Sequence, residues 1–504
     1  MTQKADFITT INEGYTSKGN SILLGAALLD GEVISEAQVK IPLKTLNRHG
    51  LIAGATGTGK TKTIQVLSEQ LSAFGIPVLM MDIKGDFSGI AKDGEAKPFI
   101  TERHDKIKIP YQTASFPVEL LSLSQQDGVR LRATISEFGP VLFSRILDLN
   151  DTQSGVVSVI FKYCDDNKMP LLDLKDIKKV INYITEEGKD EIEANYGKIS
   201  TSTTGTILRK IIALEQQGAD MFFGETSFDI NDLMRFDENG KGYINIIRLT
   251  DIQDKPKLFS TFMLSLLAEL YQQMPEKGDA DQPELVLFID EAHLIFNEAS
   301  KTLLDQIETI VKLIRSKGIG VYFITQNPMD VPSGVLAQLG LKIQHALRAF
   351  TANDRKSIQM TADNYPTSKF YKTDELITAL GIGEALVTAL NEKGIPTPLA
   401  ATMLRAPQSR MDVLSDTEIS DINSKSKLVR KYNETIDRES AYEMLIKKID
   451  AAYQHASQTQ ESEKETKSSE PSTASVVGKS VLKVVTSASF IRGAFSILSK
   501  MFRK

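Results

Sequence analysis

His49-Gly50-Leu51-Ile52-Ala53-Gly54-Ala55-Thr56-Gly57-Thr58-Gly59-Lys60-Thr61 joins a short apolar strand, Leu51 to Ala53, to a loop that reads GATGTGKT. The loop fits the pattern of Gly, four residues, then Gly-Lys-Thr, and a helical run opens at Lys60 with Ile64, Leu67 and Leu71 on one face. Gly54, Gly57 and Gly59 allow the backbone to close around a phosphate with its N–H groups inward. The candidate phosphate-binding run is therefore Gly54, Ala55, Thr56, Gly57, Thr58, Gly59, Lys60, Thr61 and Lys62. Lys60 brings a point charge to the outer phosphates, Thr61 offers a hydroxyl to Mg²⁺, and the helix N-terminus adds its dipole. A plain glycine turn would explain the glycines but not the strand before and the helix after. The loop predicts binding of a nucleoside triphosphate.

Outward from the loop, composition sets limits. The chain has 504 residues, 41% hydrophobic and 25% charged, as expected of one large globular domain with insertions or two to three smaller ones. A single cysteine, Cys164, excludes a disulfide framework and suits a reducing cytosol. The N-terminal MTQKADFITTINEGYTSKGN lacks the apolar core of a signal peptide, and no run approaches the roughly twenty apolar residues of a membrane span. The expected location is the cytoplasm. A net charge of −6 argues against a broadly basic nucleic-acid surface but allows a basic lining in a groove or pore.

Residues 1–47 read as short β segments, Ser21 to Ala27 and Glu32 to Ile41, leading into an ATPase core over 48–405. Pro77 to Met81 is a strand closing on Asp82-Ile83-Lys84-Gly85-Asp86. From about 90 to 238 the pattern is mostly helical, with apolar spacing at Val129, Leu131 and Ile135, then at Ile207, Ile211 and Leu214. This is read as a helical insertion, with a separate helical domain as the alternative. Strands resume at Tyr243 to Ile247, Glu284 to Ile289, Val321 to Thr325 and Glu384 to Ala389, separated by helices. That alternation predicts an α/β fold with a mostly parallel sheet. Residues 406–453 form a charged helical region, 454–475 a disordered linker, and 476–504 a basic amphipathic tail. The tail fits three placements: on an anionic membrane surface, on a partner, or back on the ATPase body.

LVLFIDEAH, residues 285–293, ends a buried strand on Asp290 and Glu291. An aspartate there orders Mg²⁺ and its waters, and the adjacent glutamate can polarise an attacking water. An acidic strand end can also merely cap a helix; the phosphate loop in the same chain favours the catalytic pair. His293 completes the letters DEAH, yet no arginine-rich helicase segment follows and about 230 residues separate the two motifs, so His293 reads as a packing residue. After Phe323-Ile324-Thr325, Gln326 is a candidate sensor of the γ-phosphate. Arg315, Arg348 and Arg355 are candidates to stabilise transition-state charge, each with a surface salt bridge as its ordinary explanation.

RHGLIAGATGTGKT, DIKGD, LVLFIDEAHLIF and GIGVYFITQNPMDVPSGVLAQLG, in that order, resemble the HerA/FtsK superfamily of P-loop ATPases, and within it the bacterial YjgR-like branch. The resemblance runs from about residue 20 to near the chain's end. It implies a RecA-like core, hexameric rings, and ATP-driven movement of DNA or a polypeptide through a pore, with a nuclease as one conceivable partner. Position by position it makes Lys60 and Thr61 the phosphate and Mg²⁺ residues, Asp290 and Glu291 the metal and water residues, and Gln326 the sensor. Two departures stand beside it. HerA proper carries a larger N-terminal β-barrel than the roughly 47 residues here, and FtsK has membrane spans and a winged helix not evident in this sequence. The expectation is an Mg²⁺-dependent ATP hydrolase that works as a ring, a helicase or translocase on DNA. The rival is a nucleotide-dependent scaffold or switch at a membrane or protein complex, addressed by the basic tail.

Overall fold

Twelve strands make one sheet among the described residues, which in this computed structural model are 3–466 apart from 125, 254, 279, 299, 300, 435 and 437. In chain order they are β1 (Ser21–Leu29), β2 (Glu32–Pro42), β3 (Gly50–Ala53), β4 (Val78–Asp82), β5 (Val118–Ser122) and β6 (Val129–Arg130). They continue with β7 (Ile244–Arg248), β8 (Leu285–Ile289), β9 (Ile319–Thr325), β10 (Leu341–Gln344), β11 (Glu384–Thr388) and β12 (Ala400–Leu404). The spatial order is β2-β1-β12-β11-β10-β3-β9-β8-β4-β7-β5-β6. From β10 to β6 every neighbouring pair is parallel; from β10 back to β2 every pair is antiparallel.

The parallel half follows from residue type. LVLFI in β8, VLMMD in β4 and IGVYFIT in β9 are buried along their whole length, as strands covered on both faces must be. In β2, EVISEAQVKIP alternates between buried and open positions, so one face of that edge meets solvent. The helix Lys60–Ala73, which follows the phosphate loop, buries Ile64, Leu67 and Leu71 in the main core with Ile52, Met80 and Ile324.

Several elements depart from the sequence expectations. Residues 1–47 are not only β: Gln3–Gly14 is a helix, held by Phe7 and Ile11 one turn apart, with Phe7 edge-on to Phe370 at 5.0 Å. Phe7, Ile8 and Ile11 are the only large apolar residues of this helix and give little periodic signal, and docking supplies the rest. The stretch 90–238 is not helical throughout, because β5 and β6 extend the sheet. Val129 lies in β6, whereas Ile135 opens a helix capped by Thr134. Spacings of two and four residues suit either period, and pairing to Leu121 decided for strand. Residues 406–453 contain three helices, Asp416–Lys425, Lys427–Tyr432 and the start of Ala441–Thr466. The last runs through 454–466, the first part of the expected linker, since Gln, Glu and Lys are good helix formers. The remaining linker and tail, 467–504, lie outside the described residues.

The chain divides into two units. One, within 1–174 and 199–438, contains the sheet and the candidate site. The other is helical over its described residues, within 175–198 and 439–466, and in it the Asp176 carboxylate accepts from Ser440 Oγ at 2.5 Å and Tyr442 N at 2.9 Å. Among the described residues no helix is long and apolar enough to cross a membrane.

Candidate nucleotide-binding site

In a parallel sheet all carboxyl ends share one edge, and ligands gather there. The phosphate loop leaves β3 at that edge, Asp290 and Glu291 leave β8, Gln326 leaves β9, and Asp82 to Asp86 leave β4. Residues 230 apart in sequence thus meet because β9 alone separates β3 from β8.

The loop is braced from below. Gly54 N donates to Thr325 O at 3.3 Å and Ala55 N to Ala346 O at 2.8 Å, while Gly383 N donates to Thr58 O at 3.0 Å. A Cβ on Gly54 would lie 2.5 Å from that of His345, so only glycine permits this approach. Gly59 caps the helix with φ 112°, in the left-handed region. His345 Nε2 sits 2.9 Å from Thr63 Oγ1, and burial, helped by the Lys60 charge, pushes its pKa down to about 3. The imidazole is a neutral prop at physiological pH.

Lys60 is buried, and its ammonium donates to Gly54 O at 2.6 Å and Ala55 O at 3.2 Å. Burial and then the nearby Lys84 charge lower its pKa, opposed by Glu291, Asp290 and Asp86. Thr61 Oγ1 donates to Asp86 Oδ2 at 3.1 Å. The side chain of Lys62 turns away from the loop, to Met411 O and, at 3.4 Å, Gln65 Oε1.

Asp290 is buried, and desolvation followed by the Glu291 charge pushes its pKa up to about 7. Glu291 has φ 47°, a left-handed conformation uncommon for a residue with a Cβ. Its Oε1 forms an ion pair with Lys84 and lies 3.5 Å from Gln326 Nε2; its Oε2 is 3.2 Å from His293 Nδ1. Asp82 shapes the neighbouring turn by accepting from the backbone N–H of Gly85 (2.7 Å), Asp86 (3.0 Å) and Phe87 (3.2 Å). Burial and then Asp86 raise its own pKa to about 6.

Lys60, Thr61, Asp290, Glu291 and Gln326 are therefore together. Arg348 follows β10 at the same edge, exposed, with Nη1 3.4 Å from Thr378 O, and Arg355 is on the exposed face of the helix Ala352–Ala362. Arg315 precedes β9, at the amino-terminal edge, so the seven residues of β9, about 20 Å, separate it from this chain's own site. Sequence reasoning gave no role to Lys84, Asp86 or His345. The charged run DIKGD at a strand's carboxyl end was the available signal for the first two.

The residues present fit Mg²⁺. Asp86 Oδ1 is buried without a hydrogen-bond partner, and Asp290 is a buried carboxylate for which desolvation and the Glu291 charge outweigh the help of Lys84 and of the Glu291 backbone N–H. No cluster of three or more His, Cys, Asp or Glu side chains that could hold a metal occurs among the described residues. One or two carboxylates, a hydroxyl, waters and phosphate oxygens are what Mg²⁺ ordinarily accepts.

Several known proteins are similar to this chain. The chain is 22% identical over 369 residues to the DNA double-strand break repair helicase HerA of Sulfolobus acidocaldarius, covering 72% of this chain and 66% of that protein. It is 23% identical to the HerA of Saccharolobus solfataricus, covering 69% and 63%, and 23% identical to the DNA import protein CedB of Sulfolobus acidocaldarius, covering 71% and 52%. The chain thus spans just under two thirds of the length of these HerA proteins. Among solved structures, the bacterial conjugative coupling protein TrwBΔN70 superposes with a TM-score of 0.51 at 15% identity, covering 81% of this chain and 95% of that one, a likeness of fold. The model of the family described as Helicase HerA-like C-terminal matches residues 28–491, and with a RecA-like sheet carrying the phosphate loop and the Asp290–Glu291 pair at one edge, the chain belongs to that family, within the HerA/FtsK superfamily of P-loop ATPases.

Proposed function

We propose that this protein is an Mg²⁺-dependent ATP hydrolase that works as a homo-hexameric ring and moves DNA. The observation that carries the chemistry is the convergence of Lys60 and Thr61 with Asp290 and Glu291 at one sheet edge. Lys60 exchanges its two loop carbonyls for phosphate oxygens. Thr61 and Asp290 hold Mg²⁺, which when bound neutralises charge on the outer phosphates. Glu291 accepts a proton from water as that water's oxygen bonds to the γ-phosphorus, and the bond from the γ-phosphorus to the bridging oxygen breaks, leaving ADP. Gln326, 3.5 Å from Glu291, orients the same water.

The position of Arg315 supports a ring. At the amino-terminal edge it is out of reach of its own site, and a neighbouring subunit's γ-phosphate is the target such an arginine serves in trans. DNA as substrate is supported by the HerA and CedB relatives, whose names state a DNA role. With a net charge of −6 the grip must come from a local lining, through phosphate contacts with little sequence preference. A partner nuclease and a cytoplasmic setting belong to the same proposal. The test is ATP turnover with duplex DNA, single strands, RNA and no nucleic acid, at low and near-physiological salt, with and without Mg²⁺. Faster turnover with DNA, weakened by salt, is expected; equal rates in all four with no retained DNA would overturn the DNA assignment in favour of a nucleotide-dependent scaffold or a polypeptide substrate.

A further inference from the structure

Lys84 is a second lysine of the site, and its position gives it work the loop lysine cannot do. β4 and β8 are parallel neighbours, with Met81 beside Ile289, so the residues just past each strand face one another. The three backbone bonds to Asp82 fold Lys84 to the tip of a tight turn, with Gly85 at φ 78° behind it. From there the ammonium reaches Glu291 Oε1. Its side chain is 40% exposed while that of Glu291 is 7% exposed, so the lysine is the partner free to swing. Burial works against the charge on Lys84, but Glu291, Asp290 and Asp86 outweigh it and hold the ammonium protonated.

With Lys84 in place, the Glu291 oxygen that faces Gln326 is occupied by a cation and is not open to an attacking water. Lys84 is also close enough to Lys60 for the two charges to oppose one another, so both ammonium groups border the space a triphosphate fills. A γ-phosphate carries more negative charge than one carboxylate and would lie between them. We propose that Lys84 is a positioning residue that keeps Glu291 locked until a γ-phosphate arrives, then transfers its ammonium to that phosphate and frees Glu291 for the water. A diphosphate lacks the group that opens the lock. The inference rests on the assignment of an ATP site and deepens it, by tying the state of Glu291 to the identity of the bound nucleotide.

The test is a double-mutant cycle on the full chain, with Lys84→Met, Glu291→Ala and the double variant. Affinities are measured for a non-hydrolysable ATP analogue and for ADP, both with Mg²⁺. If binding the analogue must break the pair, Glu291→Ala tightens it more when Lys84 is present than in the Lys84→Met background, by about three- to tenfold. ADP affinities should be additive. Lys84→Arg, which keeps the charge, should preserve the non-additivity with the analogue. Additive behaviour with both nucleotides would overturn the lock, as would equal non-additivity with both. Failure of the unmutated protein to bind either nucleotide would sink the ATP-site assignment itself, a separate and recognisable result. Should Lys84→Met not fold, Lys84→Gln serves the same cycle.

Discussion

At the scale of single residues, the site asks different things of its two best-defined groups. Replacing Lys60 with Ala removes the cation nearest the outer phosphates, so nucleotide binding itself should weaken. Glu291→Gln keeps shape but cannot take a proton; binding should persist while turnover falls on the order of 10²–10⁴-fold. Equilibrium binding and steady-state ATPase rates on the two variants separate these effects, and a Glu291→Gln enzyme at full speed would refute the role. A third residue outside the site carries a pH signature. Burial, followed by the charges of Glu137 and Asp229, pushes Glu269 from 4.5 up to about 7. The folded state therefore holds this proton more tightly than the unfolded state. Its contribution is complete below about pH 4.5 and declines as pH rises to about 7, where the carboxylate ionises in the fold as well. Glu269→Gln should leave Tm nearly unchanged at about pH 4 and raise it at about pH 8. A Tm difference independent of pH would show that the carboxylate does not carry this effect. Lys60, Thr61, Asp290 and Glu291 were legible in sequence because each sits at a fixed offset from an apolar strand. Lys84 was not, because its partner is 207 residues away and the pairing exists only once β4 and β8 are neighbours.

At the scale of elements, the helix Lys60–Ala73 is held from outside by residues 408–411 as well as by the sheet. Glu69 accepts from Gln408 N at 2.8 Å, and from Ser409 N at 2.9 Å and Oγ at 2.5 Å, while Gln65 Nε2 donates to Ser409 Oγ at 2.7 Å. Ser409→Ala strips partners from two buried side chains and should destabilise the fold by about 1–3 kcal/mol. Denaturant titration checks this, and a shift below a few tenths of a kcal/mol would mean that water replaces the hydroxyl. The same scale shows where the sequence was opaque. β8 and β9 announce themselves as apolar runs, but β10, LKIQ, and β12, AATML, are too short or too alanine-rich to stand out. Their strand character comes from neighbours: Ile343 is paired on one side with Ile52 and on the other with Val387.

At the scale of the whole molecule, the proposed ring is tested through Arg315, Arg348 and Arg355. If one of them completes a neighbour's site, mixing a Lys60→Ala subunit with the matching Arg→Ala subunit should restore part of the activity each lacks, since some interfaces then keep both intact halves. Size measurement with and without ATP should show a ring of six. No recovery with any of the three arginines, or an active monomer, would end the ring proposal.

The antiparallel flank bears on the birth of the chain. β1 is hydrogen-bonded to β12, with Gly25 opposite Leu404, so the β1–β2 hairpin lacks one neighbour during synthesis until residues 400–404 have been made. At about 5–20 residues per second, β1 waits roughly 20–75 seconds with an apolar edge bare. An unpaired edge of that kind invites pairing with other chains. Nascent chains halted before residue 400 should therefore be the form that recruits chaperones or aggregates, whereas chains released after residue 404 can close the edge themselves.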